Sequence, residues 1–138
     1  MSNSNQKFGT WCSLNSANAV DAICSTDLDF IIIDFEHGSF SISEVHNYVN
    51  ACERYSCSPI VRVPGKFDWM IQQVLDQGAH GVILPGIETS QDVRDFVEAV
   101  KFKPQGHRGF TPHTKAGGFT NINAETYPLE ANDLTLVG

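Results

Sequence analysis

The sequence predicts an α/β protein built on a parallel sheet, and three observations lead to that prediction. Short β-branched runs begin near residues 8, 29, 58 and 81, and a segment of helical periodicity follows each of them. The run at 29–34 contains three consecutive isoleucines, which is typical of a strand buried on both faces. No G-x-G-x-x-G follows the first strand, which weakens a dinucleotide-binding interpretation. Doubly wound sheets and (β/α)8 barrels both fit this alternation with right-handed crossovers.

Each element has its own local signal. Ser41 and Glu44 have the spacing of a capping box, and Thr89 and Asp92 repeat it. Gly78 suits a left-handed residue that ends a helix. The predicted helices cover 17–24, about 41–55, about 67–76 and the stretch after residue 89. The predicted strands cover 8–14, 29–34, 59–63, 81–84 and the opening of a fifth at 134–137.

Length and composition indicate one globular domain, because 138 residues with 41% hydrophobic content are enough to form a core. We expect a polar N-terminal tail at 1–7, a barrel-type domain at 8–138 and a long loop at about 103–133. That loop is rich in Gly, Pro, Thr and Asn, and loops of this length are usually functional or disordered.

Charge and cysteine content narrow the function classes. A net charge of -7, with the basic residues scattered, argues against nucleic-acid binding. The sequence shows no signal peptide and no apolar stretch approaching a membrane span, so we expect no membrane partner and a cytoplasmic location. The four cysteines have no C-x-x-C spacing and are expected to be buried, reduced thiols, with Cys57 more exposed than the others.

Polar side chains stand where the predicted strands end, and that edge of a parallel sheet is where active sites form. His37 is a candidate general base. Arg62 has a planar fork that matches a carboxylate, and within an apolar strand it needs an anionic partner; we favour a bound ligand over an internal ion pair. The strand-end set is Trp11, Asp34, Glu36, His37, Arg62 and Glu88. No HExxH, P-loop, nucleophile elbow or zinc spacing occurs, which argues against a protease, kinase or hydrolase.

Four motifs follow one another over about 100 residues. The first is Ile-Ile-Asp34-Phe-Glu36-His37-Gly38, and the second is Pro59-Ile-Val-Arg62-Val63. The third runs from Leu75-Asp76-Gln-Gly78 through Gly81-Val-Ile-Leu-Pro85, and the fourth is Pro104-Gln-Gly106-His-Arg108-Gly109. In order and spacing, the four motifs together resemble the HpcH/HpaI aldolase family.

The resemblance implies a (β/α)8 barrel and a class II aldolase that uses Mg²⁺, Mn²⁺ or Co²⁺. Such enzymes reversibly cleave 4-hydroxy-2-oxo acids to pyruvate and an aldehyde. By matching positions, His37 is the base, Asp76 is its acid partner in a dyad, and Arg62 binds the pyruvate carboxylate. Trp11 corresponds to an aromatic of the pocket wall, and Asp34 to an acid near a metal-bound water.

The Arg108-Gly109 segment corresponds to a loop that closes over the site. The family's metal-binding Glu and Asp lie at strands 5 and 6, and this sequence ends at Gly138, inside strand 5. We therefore predict no metal ligand in this chain and only the first half of a barrel, strands 1 to 4 and the start of 5. Asp34 and Glu36 as reassigned ligands are disfavoured.

Half of a closed barrel leaves open edges and an uncovered apolar face, so we expect a homo-oligomer or a complementing chain. Three explanations remain open: a fragment of an aldolase, a natural half-barrel, and a non-catalytic remnant that binds an oxo acid. On the same scaffold, citrate-synthase-like carbon–carbon bond formation is the alternative reaction.

Overall fold

A computed structural model describes residues 6–120 and 123–138. Most of the predicted polar tail, residues 1–5, lies outside the described residues. The strands are β1 Gly9–Cys12, β2 Phe30–Asp34, β3 Ser58–Arg62, β4 Gly81–Ile83 and β5 Leu136–Val137. The helices are α1 Ala17–Cys24, α2 Val45–Glu53, α3 Asp68–Asp76, α4 Ser90–Val100 and α5 Tyr127–Leu134. Short 3₁₀ turns occupy Ile42–Glu44 and Gly118–Thr120.

The five strands form one parallel sheet in the order β1-β2-β3-β4-β5. In a doubly wound sheet the order of the strands reverses at a switch point, so the spatial order does not follow the chain. A sheet whose spatial order follows the chain is built in the way of a (β/α)8 barrel. The structure thus decides between the two architectures that the alternating pattern allowed, in favour of the barrel type.

The two faces of the sheet differ in burial. The face under the helices carries fully buried side chains, such as Ile31 and Ile33 of β2, Val61 of β3 and Val82 of β4. The core between this face and the helices accounts for the β-branched runs. The opposite face carries Ile32, whose partner in β1 is Trp11. Because side chains alternate along a strand, Asp34 lies on that opposite face, away from the helices.

The local signals were confirmed in some places and wrong in one. Thr89 and Asp92 form a complete capping box at the start of α4, and Gly78 has a φ of +100° after α3. The predicted capping box at Ser41 and Glu44 is wrong. The Ser41 hydroxyl lies 2.7 Å from that of Ser43 instead of capping a helix, so α2 begins after the 3₁₀ turn.

The segment predicted as a long loop contains α5, and the prediction is corrected there. The helix is held by tertiary contacts. The Asn132 Oδ1 atom accepts the N–H of Phe102 at 2.7 Å, and Asn132 Nδ2 donates to the Phe102 carbonyl at 2.9 Å. Phe102, Phe110 and Tyr127 pack together in edge-to-face and tilted contacts, with ring centroids 5.6–6.2 Å apart. Lys101 donates to the carbonyl of Thr135 at 2.8 Å, where α5 ends.

All four cysteines are free thiols and buried, as predicted. Cys57 is no more exposed than the rest, which corrects the expectation for it: it follows the Ser56 turn directly into the core. Burial raises the pKa of the Cys57 thiol to about 12, so it is protonated at neutral pH. Within 6–120 and 123–138, no helix combines the length and the apolar character that crossing a bilayer requires.

Candidate functional site

Asp34 organises the turn that follows β2. One carboxylate oxygen, Oδ1, accepts the backbone N–H groups of Glu36 at 3.0 Å and His37 at 3.2 Å. The Gly38 N–H donates to the Asp34 carbonyl at 3.0 Å, and a Cβ at Gly38 would lie only 2.3 Å from that oxygen. The sequence Asp34-Phe-Glu36-His37-Gly38 therefore closes a tight turn that only glycine permits at its last position.

Arg62 meets Asp34 across the β2–β3 ladder, because these two residues are register partners at the ends of neighbouring strands. Arg62 Nε donates to Asp34 Oδ1 at 2.9 Å and Nη2 donates to Oδ2 at 2.6 Å, which is a bidentate pair. The guanidinium lowers the pKa of the Asp34 carboxyl below its ordinary value, chiefly through this hydrogen bond. Arg62 therefore forms an internal ion pair with Asp34, whereas the sequence favoured a bound ligand as its anionic partner.

Glu36 and His37 complete the cluster on the exposed side of Arg62. Glu36 Oε2 lies 2.9 Å from Arg62 Nη1, and Glu36 Oε1 lies 3.8 Å from His37 Nε2. The His37 side chain is 72% exposed, so its imidazole is open to solvent and to a ligand. A carboxylate, a guanidinium and an imidazole in series can bind an anion and move a proton beside it.

Trp11 covers the Arg62 guanidinium from β1. The Arg62 Cζ atom lies 4.5 Å from the centroid of the Trp11 ring, within the range of a cation–π contact. Trp11 is 51% exposed, so the ring forms one wall of an open site. Five of the residues singled out in the sequence thus come together: Trp11, Asp34, Glu36, His37 and Arg62.

Asp76 and Arg108 are not in this cluster. Asp76 ends α3, which runs against the strands, so it lies at the amino ends of the strands, opposite to His37. Its Oδ1 accepts from Arg108 Nη2 at 2.8 Å. Within this chain the expected His37–Asp76 dyad does not form, and the carboxylate beside His37 is that of Glu36. The Arg108 segment packs at the same far end and does not close over Arg62.

A cavity of about 570 Å³ lies at that far end, between the amino ends of the strands and α5. Two of its lining cations are already neutralised: Arg108 by Asp76 at 2.8 Å, and Lys115 by Glu53 at 2.7 Å. Neither of these two cations is therefore free to bind an anionic ligand. The cluster around Arg62 is therefore the stronger candidate site.

A cluster of three or more metal ligands is not found among the described residues. In 6–120 and 123–138, no group of three or more His, Cys, Asp or Glu side chains is arranged to hold a metal ion. Asp34 and Glu36, the two carboxylates of the cluster, both face the Arg62 guanidinium. A cation placed between them would compete with a fixed positive charge.

Sequence reasoning missed the contact of Glu36 with Arg62 and the place of Asp76. The place of Asp76 had a signal in the sequence, because a residue at the C-terminal end of a crossover helix precedes the amino end of the next strand. The Glu36 contact had none, because it depends on how the turn after β2 aims its side chains.

Comparison with known proteins identifies the family of the chain. The model of the family described as HpcH/HpaI aldolase/citrate lyase matches residues 7–137. The hydroxypyruvate/pyruvate aldolase of Roseobacter denitrificans is 29% identical over 131 residues, which are 94% of this chain and 51% of that protein. The chain spans about half the length of the curated relatives it matches.

Solved structures give the same result. A HpcH/HpaI aldolase/citrate lyase family protein from Burkholderia cenocepacia superposes with a TM-score of 0.87 at 28% identity, covering 98% of this chain and 55% of that one. The citrate synthase SbnG superposes with a TM-score of 0.83 at 26% identity, covering 98% of this chain and 51% of that one. The five-stranded sheet thus corresponds to part of a barrel, and the chain belongs to the HpcH/HpaI aldolase/citrate lyase family.

Proposed function

We propose that the Arg62 cluster is the 2-oxo-acid site of an aldolase that reversibly cleaves a 4-hydroxy-2-oxo acid to pyruvate and an aldehyde. The observation that carries this proposal is the arginine at the end of β3, fixed by Asp34 on one edge and backed by Trp11, with His37 in the adjoining turn. Family membership supports the reaction class.

In this proposal Arg62 binds the substrate carboxylate through the donors that Asp34 leaves free. His37 removes the proton from the C4 hydroxyl, the C3–C4 bond breaks, and the aldehyde leaves. The electron pair stays on the pyruvate fragment as an enolate, which Arg62 stabilises electrostatically and which a proton at C3 converts to pyruvate. Trp11 forms the pocket wall beside the carboxylate.

The family's divalent cation, Mg²⁺, Mn²⁺ or Co²⁺, is proposed as a cofactor, and the resemblance assigns its ligands to a Glu and an Asp at strands 5 and 6 of the family's barrel. The steps above therefore use the side chains of this chain alone. Asp76 as the acid of a dyad remains a prediction from the resemblance, and its contact with Arg108 gives it no support within one chain.

The test is an aldol assay on the purified chain with pyruvate and glycolaldehyde, with each of the three metals and with EDTA. Matched conservative variants separate site from surface: R62K and H37Q in the cluster, R94K and H46Q on exposed helix faces. Relative to the unmodified chain, R62K and H37Q should reduce the rate by about 100-fold or more, and R94K and H46Q should leave it unchanged. Turnover insensitive to R62K and H37Q would contradict the proposal.

A second reaction is supported by the likeness to the citrate synthase SbnG. In this reaction a 2-oxo acid bound at Arg62 would form a new carbon–carbon bond, whereas in the aldolase reaction the bound acid is cleaved. Oxaloacetate with acetyl-CoA, assayed for citrate and free thiol, distinguishes this reaction from the aldol product of pyruvate and glycolaldehyde.

A non-catalytic role is the remaining alternative from the sequence. Arg62-dependent pyruvate binding without turnover in either assay would support a binding half-barrel. Light scattering tests the proposed partner, a second copy or a complementing chain: a stable monomer would contradict it.

A further inference from the structure

We propose that Glu36 is a positioning residue. In the free protein its carboxylate contacts the Arg62 guanidinium. When the substrate carboxylate binds Arg62, it displaces Glu36, which then orients the His37 imidazole. The inference rests on the proposed function and adds to it a coupling between anion binding and the base. Nothing in the resemblance assigns such a role to Glu36.

The two carboxylates that face Arg62 are held differently. Asp34 accepts two aligned hydrogen bonds, from Nε at 2.9 Å and from Nη2 at 2.6 Å. Glu36 Oε2 lies 2.9 Å from Nη1 but is buried without a hydrogen-bond partner, so the contact has a short distance and poor alignment. Since charge-assisted bonds depend on direction as well as distance, Glu36 is the weaker of the two anions and the one that a ligand displaces.

The donors of Arg62 explain why displacement is required. A guanidinium has five N–H donors, and Asp34 uses one at Nε and one at Nη2. The outer edge, formed by Nη1 and the second N–H of Nη2, is the one that a substrate carboxylate would take bidentately. Glu36 stands against that edge at Nη1. The two anions therefore compete for the same donors.

Charge gives a second reason. Asp34 and Glu36 contribute two negative charges against the single positive charge of Arg62. A substrate anion added to this cluster would meet net repulsion at close range, in surroundings where the Asp34 side chain is 7% exposed. The repulsion is relieved when Glu36 moves away from Arg62.

The structure also indicates where Glu36 would go. Its other oxygen, Oε1, already lies 3.8 Å from His37 Nε2, about 1 Å beyond a hydrogen bond. The backbone of the turn is held independently, because Asp34 Oδ1 accepts the N–H groups of both Glu36 and His37. The Glu36 side chain can therefore turn to the imidazole without loss of the turn, and a carboxylate bonded to one ring nitrogen orients the base.

The experiment is an NMR titration of the 138-residue chain with pyruvate, which reports affinity and the His37 ring resonances at one fixed pH. The variant E36Q keeps the shape of the side chain and removes its charge. E130Q is the matched control, because Glu130 is an exposed glutamate on α5 and does not belong to the cluster around Arg62.

We expect E36Q to bind pyruvate about 3- to 10-fold more tightly than the unmodified chain, since the internal competitor is weakened. In the unmodified chain and in E130Q, pyruvate shifts the His37 ring resonances. In E36Q that shift is lost, although binding is tighter. A purely structural role for Glu36 would not produce tighter binding together with a lost histidine response.

E36A serves as a second variant and gives the same result if the carboxylate is the competitor. Pyruvate affinity that depends on Arg62, tested with R62K, but is unchanged or weaker in E36Q and E36A would overturn the role of Glu36 and leave the proposed function standing. Absence of Arg62-dependent pyruvate binding in all of these proteins would overturn both.

Discussion

The two ends of the sheet each hold an arginine against an aromatic ring, and only one of these arginines is open to solvent. At the carboxyl ends, Arg62 lies 4.5 Å from the Trp11 ring centroid. At the amino ends, Arg108 lies 4.4 Å from the Phe102 ring centroid. The Arg62 side chain is 20% exposed and the Arg108 side chain 3%. The same kind of arginine–aromatic contact thus belongs to a solvent-accessible candidate site at one end and to a buried ion pair at the other.

The carboxylate partners differ in the same direction. Asp34 takes two aligned bonds from Arg62 and still leaves one edge of the guanidinium for Glu36 or a ligand. Asp76 takes one bond from Arg108, which the packed loop and α5 enclose. An arginine–carboxylate pair in an α/β protein is therefore not by itself a sign of function; the exposure of the unused donors distinguishes the two cases.

The largest expected difference between the two ends is at the aromatic rings. F102A should lower the free energy of unfolding by about 3–5 kcal/mol, because a buried phenyl ring is lost and a cavity is left. W11A is the matched change at the other end and should cost less than about 1 kcal/mol, because Trp11 is 51% exposed. Urea unfolding of both variants measures the difference. Equal losses would break the comparison.

The buried ion pair should give the next effect. D76N leaves the Arg108 charge buried without its counter-charge, and we expect a loss of about 3 kcal/mol in the free energy of unfolding. D133N, an exposed aspartate on α5, is the control and should stay within about 0.5 kcal/mol. A loss below about 1 kcal/mol in D76N would show that Arg108 does not depend on Asp76.

The smallest effect concerns pH and the open end. Because the pKa of Asp34 is lowered in the folded protein, its carboxylate stabilises the fold above the ordinary value near about pH 4. That contribution is lost as the pH falls through the lower, folded value. D34N should cost about 1–3 kcal/mol at pH 7, and the difference from the unmodified chain should narrow below about pH 4. Unfolding curves from pH 7 to pH 2 test this.

D133N again gives the reference, because it removes one carboxyl that makes no side-chain hydrogen bond within the described residues. Its pH dependence should run parallel to that of the unmodified chain. If the D34N curve also ran parallel, the hydrogen bond from Arg62 would not be what lowers the pKa of Asp34.

The sequence was sufficient for elements whose own residues determine them. The Ile31, Ile32 and Ile33 run forms β2, and the Thr89 capping box starts α4. α5 could not be predicted in this way: it has eight residues, of which only Ala131 and Asn132 are buried. No apolar stripe marks it, and its stability comes from tertiary contacts that the chain pattern does not show.

The site divides along the same line. Parallel pairing of β2 with β3 brings together the polar residues at the ends of these strands. The proximity of His37 and Arg62 was therefore predictable. Which carboxylate lies beside His37 was not, because the resemblance indicated Asp76, and the α3 direction places that residue at the far end. Side-chain direction within the turn decided for Glu36.

The strand order has a consequence for how the molecule is made. Each strand pairs with the one synthesised just before it, so every βα unit can dock as soon as it leaves the ribosome. Later segments then return to earlier helices: Arg108 bonds Asp76 of α3, and Lys115 bonds Asn50 and Glu53 of α2. The last pairing joins residues much farther apart in the chain than the others, Gly81 with Leu136 as against Ile60 with Gly81, so β5 is the strand that we expect to dock last.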